Sequence, residues 1–84
     1  IRINVKKVFK NEALLNFGKN KLSSNLIELN LSITGNLNEA AKNFYNFMHI
    51  LDNSKSKKIA VAPIPDSGLG KTINDRLFRA ASIK

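Results

Sequence analysis

The chain contains no cysteine and no tryptophan, one histidine (His49) and two prolines. Without cysteine there is no disulfide, no thiol nucleophile and no thiolate-bound zinc. A single histidine does not make the imidazole cluster a transition metal needs. Acids are scarce too, six Asp and Glu against fourteen Lys and Arg. They are scattered, and Glu28, Glu39, Asp52, Asp66 and Asp75 show no spacing that marks a carboxylate pair for acid–base work. No apolar run approaches the roughly 20 residues of a membrane-spanning helix, so no membrane partner is expected. No internal repeat or low-complexity stretch occurs. The chain opens at Ile1 within an expected strand, with no charged-then-apolar leader. That opening is expected of a piece taken from a longer protein.

What is present is a mixture suited to folding. Hydrophobic residues make up 43% of the 84 positions and charged ones 24%, the balance of a soluble globular domain. The length accommodates one domain, 1–84, and is too short for two. The net charge of +8 is unevenly placed. Residues 1–21 carry six positive charges and one negative, residues 22–52 one positive and three negative, and residues 53–84 seven positive and two negative. Folding brings the two basic ends to one face or leaves them apart. The sequence leaves open a solvated surface, or a face that meets RNA, a nucleotide or an acidic partner.

Arg2 to Val5 alternates polar and apolar and reads as a short strand. Lys6–Glu12 reads as a polar loop. Ala13–Phe17, closed by Gly18, reads as a second strand. After the polar loop Lys19–Asn25, Leu26–Leu31 gives a third strand, with Ile27, Leu29 and Leu31 on one face. Asn36 with Glu39 three residues on resembles a helix-capping box. Leu37, Ala41, Phe44, Met48 and Leu51 form the stripe of an amphipathic helix, widened by Ala40 and Phe47. The helix ends at Asp52-Asn53-Ser54, and the basic loop Lys55-Ser56-Lys57-Lys58 follows. Ile59–Ala62 is a continuous apolar run of the kind found in parallel strands buried on both faces. Beyond Pro63 and Pro65, Asp66 or Ser67 caps a last helix with Leu69, Ile73, Leu77, Ala80 and Ala81 inward. The expected fold is α/β, a small, mainly parallel sheet of about four strands flanked by two helices.

Gly68-Leu69-Gly70-Lys71-Thr72 follows a buried strand and opens a helix, as a phosphate-binding loop does. The first glycine of such a loop would fall at position 65, which is proline. Proline has no N–H to offer a phosphate and fixes φ, so the motif reads as a tight strand-to-helix turn. Asp75 and Arg79 have the spacing of a helical ion pair. His49 lies off the apolar stripe near the end of its helix. Phe44 and Phe47 lie on or beside that stripe with Tyr45 between them, and they read as packing, not base stacking.

Three stretches, read together, resemble one family. They are Ala13-Leu14-Leu15-Asn16-Phe17-Gly18; Asn30-Leu31-Ser32 with Gly35–Phe44 and Leu51-Asp52; and Ile59–Pro65 with Gly68-Leu69-Gly70, Ile73-Asn74-Asp75-Arg76-Leu77 and Arg79-Ala80-Ala81. They are similar to the C-terminal domain of the two-domain form of L-threonylcarbamoyladenylate synthase, and the third stretch is the most specific. At positions 71 and 72, Lys and Thr stand where the family's Ala or Glu is expected. The resemblance implies a Rossmann-like accessory domain, joined by a linker to an N-terminal YrdC-like catalytic domain. It implies a cytoplasmic parent enzyme that makes threonylcarbamoyl-AMP from L-threonine, bicarbonate and ATP, with Mg, for modification of adenosine 37 in tRNA. The catalytic domain and the linker motif are not in this sequence, so it carries over no catalytic, cofactor-binding or metal residue. The expected docking surface is Gly68, Leu69, Gly70, Asn74, Asp75, Arg76 and Arg79. Two other functions are open to the residues alone: an RNA-binding module using the basic charge, and a nucleotide-binding fragment using Gly68–Thr72.

Overall fold

The structure, a computed structural model, describes residues 1–54 and 58–82. Its elements run β1 (Glu12–Asn16), β2 (Glu28–Asn30), α1 (Leu37–Asn53), β3 (Lys58–Val61) and α2 (Leu69–Ser82). The expected loop residues Lys55, Ser56 and Lys57 lie outside the described residues. The three strands form one parallel sheet in the order β2-β1-β3, so α1 carries the chain across β1. Leu15, at the centre, pairs with Leu29 on one side and Val61 on the other.

Three strands replace the four expected. Arg2–Val5 does run beside β3, but it makes one isolated parallel bridge, Arg2 to Ala60. Arg2 N–H donates to Ile59 O, Val61 N–H donates back to Arg2 O, and Val5 N–H donates to Val61 O. Asn4 interrupts the ladder, with φ at 55° in the left-handed region. Asn tolerates that region better than most residues, and a strand cannot pass through it.

The β1 and β3 runs sort by alternation. Ala13, Leu15, Phe17, Ile59 and Val61 face one way and pack with Leu31, Ala40, Leu51, Ile73 and Leu77 into the main core. That cluster takes residues from both helices, so both lie on the same side of the sheet. Leu14 and Ala60 face the other way, where Val5, Val8 and Leu22 cover them. The helices thus make one layer, and the opposite face is closed by the N-terminal segment and the loop after β1.

The helices follow their stripes with one exchange. In α1, Ala40 and Leu51 are fully buried, and Leu37, Ala41, Phe44, Phe47 and Met48 are half-buried against the core. Asn36 caps it by accepting from Glu39 N–H at 3.0 Å. The return half of the capping box passes through buried Ser32. Its hydroxyl donates to Glu39 Oε1 and accepts from Asn36 N–H at 2.9 Å. In α2, Ile73 and Leu77 face the core, while Leu69 is 41% exposed. Gly70 takes the inward place expected of Leu69, because a Cβ there would stand 1.9 Å from Pro65 O. Only glycine lets the helix sit so close to the preceding loop.

Candidate docking site at the start of the last helix

β3 ends at Val61, and the chain turns through Pro63 and Pro65 into α2. The turn is held from two sides. Asn74 Nδ2 donates to Ile64 O at 2.9 Å, tying the second turn of α2 back to the loop. Gly70 N–H donates to Ser67 O at 3.0 Å, and Lys71 N–H to Gly68 O at 3.2 Å. Backbone carbonyls therefore close the first turn, where Asp66 or Ser67 was expected to cap. Gly68 adopts φ of 54° at the entry, which completes the tight turn expected there. The amides of Gly70 and Lys71 are engaged within the chain, which leaves neither to cradle a phosphate.

Beside this turn lies an open concavity of about 620 Å³. Ile64, Asp66 and Gly68 form its floor and rim, and Lys71, Thr72, Asn74, Asp75 and Phe78 its helical wall. Ile3 and Asn4 supply the opposite wall, so the first residues of the chain and the last helix meet here. The lining mixes apolar and polar groups. Phe78 stands at its edge with 64% of its surface exposed. Asp66, Lys71 and Asp75 are the charged residues of the lining, and its other members are apolar or neutral.

Of the seven expected docking residues, Gly68, Asn74 and Asp75 line the concavity. Gly70 is buried beneath it, while Leu69, Arg76 and Arg79 are exposed outside the lining. Asp75 and Arg79 form the expected i, i+4 pair, at 3.0 Å and open to solvent. Lining residues absent from the expected set are Ile3, Asn4, Ile64, Asp66, Lys71, Thr72 and Phe78. Phe78 carried a signal, an aromatic on the polar side of an amphipathic helix. Ile3 and Asn4 carried none, since they arrive through the tertiary fold.

A second polar constellation anchors the N-terminal segment. Arg2 reaches diagonally over β3 and grips Glu12 with two bonds, Nε to Oε2 and Nη2 to Oε1, each 2.8 Å. Phe9 N–H also donates to Glu12 Oε1 at 2.7 Å. The Arg2 guanidinium lies 4.1 Å from the centre of the Phe9 ring. Glu12, read from sequence as a loop residue, is thus a buried member of β1. Its carboxyl is held down to about 2, first by the Arg2 bonds and then, against the cost of burial, by Phe9 N–H and the charges of Arg2 and Lys58. The same pairing raises Arg2.

Among the described residues no group of three His, Cys, Asp or Glu side chains comes close enough to hold a metal. No helix of the described residues is long and apolar enough to cross a membrane. His49 lies on the exposed face of α1, stacked on Tyr45 with ring centres 6.5 Å apart.

Comparison with known proteins gives one result. No curated protein and no solved structure matched the chain. A family model described as threonylcarbamoyl-AMP synthase, C-terminal domain, matches residues 3–82, which takes in every strand and helix above. The chain therefore belongs to the family of threonylcarbamoyl-AMP synthase C-terminal domains.

Proposed function

We propose that this domain is a noncatalytic accessory module of a threonylcarbamoyl-AMP synthase, and that the concavity beside α2 is where it docks on the rest of the enzyme. In that enzyme an N-terminal YrdC-like domain joins L-threonine, bicarbonate and ATP into L-threonylcarbamoyladenylate, the precursor for modification of tRNA adenosine 37. A linker between the domains lies over the active site, and the accessory domain sets its position.

The observation that carries this reading is the rigid seating of α2. Gly70 packs against Pro65 O and Asn74 bonds Ile64 O, so the helix presents Phe78, Asp75 and Lys71 from a fixed base. A half-open hollow with one exposed aromatic and a polar rim suits a domain–domain contact. Interfaces of this kind are anchored by a few aromatic or charged groups. A docking element that positions a lid acts on substrate affinity and turnover together.

The test is made on the intact synthase. Phe78→Ser and Asp75→Lys should each raise the KM for ATP roughly fivefold to thirtyfold, the scale of losing 1–2 kcal/mol of anchoring. The linker should become more sensitive to protease while the melting temperature stays within a few degrees. Unchanged kinetics and unchanged linker protection would remove the docking role. Synthesis of threonylcarbamoyl-AMP by the 84-residue chain alone would remove the noncatalytic one.

A further inference from the structure

The fold answers the question that the charge distribution left open. Lys6 and Lys21 line a hollow with Asn20, Leu22 and Pro63 at the carboxyl ends of β1 and β3. Lys10 and Lys58 line another with Phe9 and Arg2 at the amino ends. Lys7 lies between them, its carbonyl accepting from Arg2 Nη2 at 3.0 Å. These five lysines are exposed and belong to the helix-free side of the sheet. From residue 58 to residue 63 at about 3.3 Å each, the strip is roughly 15–20 Å long.

The acids are distributed differently. Glu12 on this side is neutralised by Arg2. Glu39 and Asp52 ride on α1, Asp75 on α2 and Asp66 just before it. Glu28 is the one remaining acid of the helix-free side, on the outer strand β2 at 3.5 Å from Asn16 Nδ2. Outside the Arg2–Glu12 pair, this face thus sets five exposed lysines against one acid, Glu28 on its outer strand.

Phe9 stands within the strip. It is 53% exposed, and its backbone N–H is fixed to Glu12. The Arg2 guanidinium stacks on its ring. A charged track with a fixed, exposed aromatic is the pair of features by which proteins hold single-stranded nucleic acid, phosphates on the cations and a base on the ring. Lysine as a mobile point charge suits phosphates. It is depleted at protein–protein interfaces, where arginine is favoured, and the one arginine here is already spent on Glu12. We infer that the helix-free face binds single-stranded nucleic acid, with Lys6, Lys7, Lys10 and Lys21 tracking the backbone and Phe9 stacking a base. This site is separate from the concavity of α2 and does not depend on the docking role proposed for it.

The experiment measures binding of the intact protein to a fluorescently labelled 12-nucleotide oligouridine by anisotropy across a salt series. Four phosphate contacts give log K a slope of about −3 against log salt. Lys6→Glu with Lys21→Glu should weaken binding at least tenfold and flatten the slope by about 1–2. Phe9→Leu should weaken binding roughly fivefold to a hundredfold with the slope unchanged, because stacking releases no counterions. Phe9→Tyr should restore it. Lys71→Glu with Arg76→Glu, on the helix side, should leave affinity within about twofold. The inference is overturned by equal weakening from the helix-side pair or by absence of binding at low salt. It is also overturned if polyglutamate competes as well as the oligonucleotide while Phe9→Leu has no effect, which would mark an acidic protein surface as the partner. Thermal melts of each variant separate lost binding from lost folding, with the tyrosine variant as the folded reference.

Discussion

At the scale of single residues, two contacts decide more than their size suggests. Alanine is favoured over glycine inside a helix by about 0.5–1 kcal/mol. At Gly70 the added Cβ would meet Pro65 O at 1.9 Å, a backbone atom that moves only with its loop. Overpacking of that kind costs about 1–3 kcal/mol, so the clash should win. Gly70→Ala is expected to lower the melting temperature by roughly 5–15 °C, taking about 4–8 °C per kcal/mol for a domain of this size; a rise would show that the loop yields. The second contact is Arg2 on Glu12. The carboxyl titrates near 2 when folded, against an ordinary value of 4.5. Its stabilisation is therefore complete above the unfolded value and drains away as pH falls from about 5 towards 2. Arg2→Met removes the first cause of the shift. The melting temperature of the variant should lie below that of the parent at pH 7, and the two should converge near pH 2. Curves that stay parallel from pH 7 to pH 2 would show that Glu12 is not held by Arg2. Neither contact is legible in the sequence, because Arg2 and Glu12 are separated by a loop and the apposition of Gly70 to Pro65 depends on how α2 is seated.

At the scale of elements, α1 is started by three side chains, not two. Ser32 joins the cap residue Asn36 to Glu39. Asn36→Ala should cost about 1 kcal/mol, and Ser32→Ala about 1–3 kcal/mol, since it strips a buried partner from two groups at once. The two changes share an anchor, so the double variant should fall short of their sum by 0.5 kcal/mol or more. Urea unfolding of the four proteins measures this, and additivity within about 0.3 kcal/mol would disprove the coupling. Much of this level was legible. The stripe from Leu37 to Leu51, the apolar run of β3 and the alternation of Ile27, Leu29 and Leu31 each report one local period meeting one core. Asn36 and Glu39 named the helix start. What was not legible came from tertiary pairing. A buried carboxylate read as loop at Glu12, and an alternating stretch read as a strand at Arg2–Val5. The inward face of α2 read through Leu69 in place of Gly70. The motif from Gly68 to Arg79 identified the family because its spacing is local, yet two of the ten residues lining the concavity, Ile3 and Asn4, come from some 60 residues away.

At the scale of the molecule, the sheet has helices on one side and irregular chain on the other. Residues 1–10 supply Val5 and Val8 over Leu14 and Ala60, the partner of Glu12, and one wall of the concavity. A domain of this length has only about 4–13 kcal/mol of total stability. Deleting residues 1–10 is therefore expected to abolish the cooperative thermal transition and expose dye-binding apolar surface, while helical circular dichroism partly survives. A truncated protein that melts cooperatively within a few degrees of the parent would show that the second face needs no cover. The bend at Asn4 has a further result for how these molecules meet each other. A parallel sheet that stops at β3 would offer its edge to any passing strand, and an exposed edge is a template for aggregation. The N-terminal segment occupies that edge with one bridge at Arg2 and a single bond from Val5 N–H to Val61 O, and the left-handed residue Asn4 between them breaks the ladder. An incoming chain finds no straight ladder to join there, so one backbone dihedral helps keep a concentrated solution of this domain from growing sheets across molecules.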